Sequence, residues 1–129
     1  MEAAFRRDLL AWLHADTELV ASVGHASEEA PAVPSPPSLA IAASASTDWS
    51  TKDRTGREIR VALELVTRGE DDETITGAAA MLERRIATLP TAQGNYRVVA
   101  TSFLRSRTER RKGNIRAVLS EWRFLVLRS

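Results

Sequence analysis

The 129-residue chain contains no cysteine. Disulfides and thiolate metal sites are excluded together, so the core has to hold by packing alone. With nothing demanding an oxidising compartment, a protein that is intracellular, or assembled inside a cell, is expected. Glycine is scarce and scattered, six residues in all, and none clusters into a phosphate-cradling loop or a dinucleotide fingerprint. Histidine is scarcer still. His14 and His25 share no ligand-like spacing with any Asp or Glu, so each is expected to be a solvated or half-buried side chain. No serine lies in a Gly-x-Ser-x-Gly turn, and Ser50-Thr51-Lys52 lacks the Ser-x-x-Lys spacing. Long apolar runs are missing too. Glu2, Arg6, Arg7 and Asp8 break any secretory segment, and the longest uncharged run, Ala30 to Thr47, holds four prolines. No catalytic group, cofactor site, metal site or membrane span is expected, and hence no enzyme.

The size suits a single domain over 1–129, which buries about two thirds of its unfolded surface on folding. The net charge of +1 is unevenly spread. Between residues 105 and 116, Arg105, Arg107, Arg110, Arg111, Lys112 and Arg116 stand against Glu109 alone, so that stretch carries +5 and the rest −4. Glu70, Asp71, Asp72 and Glu73 form the densest acidic patch. The chain is bipolar rather than basic, which argues against a general nucleic-acid binder.

The clearest periodic signal lies in Arg57 to Thr67. Ile59, Val61, Leu63 and Leu65 alternate with Glu58, Arg60, Ala62 and Glu64, as a half-buried strand requires. Upstream, Phe5, Leu9 and Trp12 or Leu13 recur at helical steps over residues 2–14. A second short helix follows over Thr17 to Val23, with Asp16 as N-cap and Gly24 as its stop. Residues 25–37 form a proline-rich surface loop. Ser38 to Thr47 is a strand whose Leu39, Ile41, Ala43 and Ala45 alternate, and its small side chains imply close packing over it. Asp48 to Gly56 is the turn joining it to the clearest strand.

A third helix is expected from Asp71 or Asp72 to Thr88, burying Ile75, Ala79, Leu82, Ile86 and Leu89 and exposing Glu83, Arg84 and Arg85. At about 25 Å it would cover the strands end to end. After a turn at Gln93-Gly94-Asn95 come strands over 96–105 and 115–127. The first would set Tyr96, Val98, Ala100, Ser102 and Leu104 on one face. The second is apolar on both sides, with Val118, Trp122, Phe124 and Val126 opposite Leu119, Leu125 and Leu127. It is therefore central, or covered by something outside the monomer. The basic stretch 105–114 becomes the tip of this hairpin, turning at Lys112-Gly113-Asn114. The order helix, hairpin, helix, hairpin gives an α+β, two-layer domain: a four-stranded, mainly antiparallel sheet with helices on one face.

Two features exceed a generic domain. Trp49 sits in a polar turn, either as an anchor closing the sheet's end or as an interface contact. The arginine-rich tip is either a solvated loop or a contact for phosphate or an acidic protein surface. No aromatic lies among these arginines, so stacking on single-stranded bases is poorly supported.

The elements in this order carry a family likeness. An amphipathic helix leads to Leu13-His14-Ala15-Asp16-Thr17-Glu18-Leu19-Val20, and Pro37 precedes an apolar strand. Trp49-Ser50-Thr51-Lys52 and Gly56 then enter the alternating strand, which is the most specific part. Across essentially its whole length the chain resembles the tail completion, or tail terminator, proteins of long-tailed phages and gene transfer agents. Its loop 25–36 is richer in proline and acid than the family pattern, so loop contacts are not carried over. The resemblance implies a ring, typically of six subunits, that caps the tail tube, ends its elongation and joins the tail to the head-side connector. It implies no chemistry and no cofactor. The partners would be other copies of the chain, the tail-tube protein and the connector or stopper protein, with DNA passing transiently through the lumen. The place would be the head-proximal tail of a phage or gene-transfer-agent particle assembled in the host cytoplasm. Trp49, Lys52, Arg105, Arg107, Arg110, Arg111 and Lys112 are then candidates for the subunit interface or the lumen. The alternative is a small nucleic-acid-binding module using the basic hairpin over 105–116.

Overall fold

A computed structural model describes residues 1–24, 26–28, 35–69 and 71–129. His25, most of the proline-rich loop and Glu70 lie outside the described residues. The three helices are α1 (Glu2–His14), α2 (Thr17–Val23) and α3 (Glu73–Ala87). Asp16 caps α2 as expected, its carboxylate accepting from the backbone N–H groups of Glu18 and Leu19 at 3.1 and 3.2 Å. Gly24 closes the same helix at φ 76°, where a side chain would be strained.

The strands are β1 (Ser38–Asp48), β2 (Gly56–Arg68), β3 (Ala92–Gln93), β4 (Tyr96–Arg111) and β5 (Ile115–Arg128). They form one sheet in the order β1-β2-β5-β4-β3, antiparallel throughout. The α+β class holds, but the sheet has five strands, not four. The fifth is the two-residue β3, folded back on Tyr96 and Arg97 around Gly94. A run this short has no periodicity to read.

Alternation in β2 and β5 sets the core. Ile59, Val61, Leu63 and Leu65 lie opposite Phe124, Trp122, Ser120 and Val118, and this face packs on Phe5, Leu9, Leu13, Leu82 and Ile86. β5 is central, flanked by β2 and β4, which accounts for its two-sided apolar character. On its other face Leu119, Leu125 and Leu127 are only half-buried, because every helix lies on the opposite side.

Three bulges redirect side chains that simple alternation misassigns. A bulge at Ala42 turns Ala43 and Ala45 to the helix-free face and gives Ser44 and Ser46 the helix side. In β4, bulges at Val99 and Leu104 place Thr101 and Phe103 on the helix side, where Ala100, Ser102 and Leu104 were expected. Each extra residue inverts a period of two for everything after it. The helix cover is also shorter than expected. The 15 residues of α3 span about 22 Å, whereas the 16 residues of β4 span about 54 Å. The end of the β4–β5 hairpin therefore extends past the helices, with Ser106, Thr108 and Arg110 exposed on the helix side.

Arg85, expected to face water, instead clamps α3 to α1. Its guanidinium carbon lies 3.4 Å from the centre of the Trp12 ring, and its Nε donates to the Trp12 carbonyl at 2.8 Å. Trp12 returns a hydrogen bond from Nε1 to the Arg85 carbonyl, also at 2.8 Å. At the other end of α1, Glu2 accepts from the Ser44 hydroxyl at 2.8 Å and from Arg6 at 2.6 Å. The Ser46 and Ser44 hydroxyls, with Arg6, hold the Glu2 carboxyl below the usual carboxylate range.

Two outcomes are expected. Arg85→Ala should lower stability by about 1–2 kcal/mol, seen as a lower urea midpoint at unchanged slope; an unchanged midpoint would mean that the clamp is energetically idle. A depressed carboxyl adds stability above its unfolded pKa and loses it as pH falls through the folded value. Glu2→Gln should therefore cost under about 1 kcal/mol at neutral pH, with the gap to wild type closing below about pH 4. A gap independent of pH would contradict this origin.

Candidate functional site

The turn 49–55 is held by hydroxyls and main chain. Trp49 N–H donates to the Gly56 carbonyl at 2.9 Å, and Gly56 N–H donates to the Ser50 hydroxyl at 3.0 Å. The Ser50 hydroxyl in turn donates to Asp48 at 2.6 Å. Thr51 N–H donates to the Arg54 carbonyl at 2.9 Å, and Arg54 N–H returns to the Thr51 hydroxyl at 3.1 Å. Trp49 itself is 37% exposed. Lys52 lies exposed on the same turn. Gly56 is required by contact: a Cβ there would come within 2.5 Å of the Trp49 carbonyl oxygen and 2.7 Å of a Leu127 methyl.

The basic stretch is strand rather than loop, since β4 runs on to Arg111 and only Lys112-Gly113-Asn114 turns. Gly113 (φ 78°) and Asn114 (φ 58°) take the left-handed conformations of the tight turn. Strand placement brings most of the cations to carboxylates on neighbouring positions. Arg105 pairs with Glu121 across to β5. Arg107 meets Glu109 at 3.2 Å, and Arg111 meets Glu109 at 3.1 Å and Glu64 at 3.0 Å. Arg116 turns the other way, to Asp72 at 2.6 Å. The carboxylates raise the Arg105 and Arg111 pKa values further, while Arg105 depresses Glu121. Four of the six cations thus meet carboxylates, leaving Arg110 and Lys112 exposed with no ion-pair partner among the described residues.

The same strand carries a feature that sequence reasoning missed. Val99, Phe103 and Leu104 are 44%, 48% and 41% exposed, and with Trp49 they are the large apolar side chains left in water among the described residues. The signal was present: the adjacent apolar pairs Val98-Val99 and Phe103-Leu104 break alternation where the bulges fall. Phe103 packs edge-on against Trp122 with ring centroids 5.2 Å apart, so its exposed face is held rigidly.

Two open grooves flank β4. On the helix side, a groove of about 580 Å³ has Ile75, Ala79 and Val118 in its lining and is bordered by Asp72, Arg110 and Arg116. On the helix-free side, a trough of about 460 Å³ is lined by Ala43, Ala45, Ala62 and Leu104 beside the Arg105–Glu121 pair. Neither brings together a nucleophile and a base. Among the described residues no group of three or more His, Cys, Asp or Glu side chains could hold a metal ion. No helix there is long and apolar enough to cross a membrane. His14 is committed to structure, its Nε2 donating to the Ala26 carbonyl at 3.0 Å.

Gly56→Ala should displace the 49–55 turn and cost about 1–3 kcal/mol, read as a fall in the urea midpoint together with a change in Trp49 fluorescence. Loss of neither would show that the turn yields without strain.

Comparison with known proteins agrees with this architecture. The sequence profile of the family described as tail completion protein gp17 matches residues 7–126. A chain in the solved structure titled "Virion of native gene transfer agent (GTA) particle" superposes with a TM-score of 0.80 at 22% identity. That alignment covers 95% of this chain and 93% of the other. No curated protein sequence matches. At this identity the structural likeness concerns the fold, whereas the profile match spans nearly the whole sequence. The chain belongs to the tail completion protein gp17 family and is a structural protein of a phage-type tail.

Proposed function

We propose that the chain assembles into a ring that caps the tail tube, ends its elongation and joins the tail to the head-side connector, without catalysis. The observation that carries this reading is the exposed strip Val99, Phe103 and Leu104 on β4, in a member of a tail completion family. Large apolar side chains left exposed along one edge strand fit a surface that a partner covers. Ring subunits need two different patches that meet head to tail, and the chain is polar in that sense. Six is the subunit number favoured by the family resemblance, with the tail-tube protein on one ring face and the connector or stopper on the other.

Arg110 and Lys112 are the cations of the hairpin left available to a neighbouring subunit or to DNA in the lumen. The ion pairs of Arg105, Arg107 and Arg111 weaken the nucleic-acid-binding alternative, because paired guanidinium groups release few counterions. Trp49 and Lys52, exposed together on the turn 49–55, are a second candidate contact.

Removal of the gene should give particles with tubes of uncontrolled length unattached to heads by electron microscopy; tubes of normal length would sink the capping role. Light scattering should find a multimer of the 14.2 kDa chain at high concentration or on tubes, with little salt-sensitive DNA affinity. Replacing Arg110 and Lys112 by Glu should reduce ring mass or particle titre several-fold. If both stay at wild-type values, these two cations have no part in assembly.

A further inference from the structure

We infer that the sheet continues from subunit to subunit, the free edge of β1 in one copy lying antiparallel to the free edge of β4 in the next. This rests on the ring reading and specifies its contact. The two long edges lie at opposite sides of the sheet. β3 and Thr91 cover the outer edge of β4 only as far as Val98, leaving Val99–Arg111, paired with β5 on the inner side, without a strand partner on that edge among the described residues. Ser27 covers β1 only at Ala40, leaving Ala42–Asp48 similarly open. Free edges this long pair with other chains unless something blunts them. Past the bulge at Ala42 the β1 edge has no such device, since Ala43–Thr47 holds neither charge nor proline. On β4 the bulges interrupt regular pairing, leaving Ala100–Phe103 as the regular run between them.

Direction, size and charge all point to a second copy as the occupant. β1 and β4 are related by three antiparallel steps, so they run in opposite directions. A copy rotated about an axis along the strands therefore presents its β1 antiparallel to β4. The edges differ, so the contact is heterologous and can close a ring. The register also matches small residues to large. Through Val61 and Trp122, Ser44 is level with Phe103; through Arg60 and Arg123, Ala45 is level with Ser102. The alanines and serines of one edge thus face the exposed Phe103 and Leu104 of the other. Further along, Ala40 is level with Arg107, and beside Ala40 the chain carries Glu28, which pairs with Arg6 at 2.6 Å and whose side chain is still 49% exposed. Arg107, 61% exposed, would find a carboxylate of the neighbour there.

The absence of cysteine makes the test clean. Ala45→Cys and Ser102→Cys are combined in one chain, with Ala43→Cys/Ser102→Cys as a second pair for a register two residues away. All three sites face away from the helices. Within one chain the positions lie three strands apart, about 14 Å, too far for a disulfide. Mild oxidation is applied to the purified chain at rising concentration and to assembled tails, with light scattering in parallel. The expected result is a non-reducing ladder from dimer upward for at least one pair, with all three single-cysteine chains remaining monomeric. Dimers from a single-cysteine chain would mean a like-to-like contact and overturn the proposal. Rings of full mass without a ladder from either pair would overturn it too, while leaving the ring reading intact. A chain monomeric in solution and absent from tails would sink both.

Discussion

The structure depends on one pairing, β2 against β5. These strands run side by side for thirteen residue pairs, and their helix-side residues form a continuous apolar floor. Each large side chain buried there contributes about 1.5–3 kcal/mol relative to exposure, so the floor supplies the main favourable term in a chain without disulfides. The polar residue at its middle, Ser120, is satisfied: its hydroxyl accepts from Trp122 Nε1 at 2.7 Å, which lets an indole and a serine share the core. The flanking strands β1 and β4 attach to this pair, and the helices rest on it. Phe5 makes the contact general, touching both Phe124 and Tyr96, with the Tyr96 hydroxyl donating to Asp8 at 2.5 Å.

From that floor outward, control passes from burial to backbone irregularity. β1 and β4 are the strands with bulges, and each bulge moves residues between the two sides of the sheet. At Ala42 the shift gives Ser44 and Ser46 to Glu2, which ties the start of α1 to the sheet. At Leu104 it turns Arg105 outward to Glu121 and leaves Phe103 over Trp122. The surfaces offered to partners are thus set by single inserted residues, while the core is untouched.

The charges follow the same geometry. Water and salt screen exposed ion pairs, so the ladder Arg105–Glu121, Arg107–Glu109–Arg111–Glu64 is a weak source of stability. Its effect is on recognition. It neutralises a stretch that looks strongly cationic in one dimension and leaves apolar side chains, rather than arginines, as the prominent feature of β4.

Much of the fold was legible in the residues alone. The alternation of Ile59 to Leu65, the helical stripes through Phe5 and Leu82, the Asp16 cap and the Gly113-Asn114 turn are local signals, decided within a few residues by sterics and solvent. The Trp49-to-Gly56 turn was legible as a likeness, and its glycine has a local cause in the Trp49 carbonyl. What a linear reading misassigned depends on which strands become neighbours. Whether Arg105 is free is decided by Glu121 on the next strand, and whether Ala43 faces helix or solvent by a bulge whose partner strand lies beyond a turn. Pairing between distant segments, with one residue more on one side than the other, carries no period of its own. Only the assembled sheet decides it, because cross-strand contacts exist only after the strands have met.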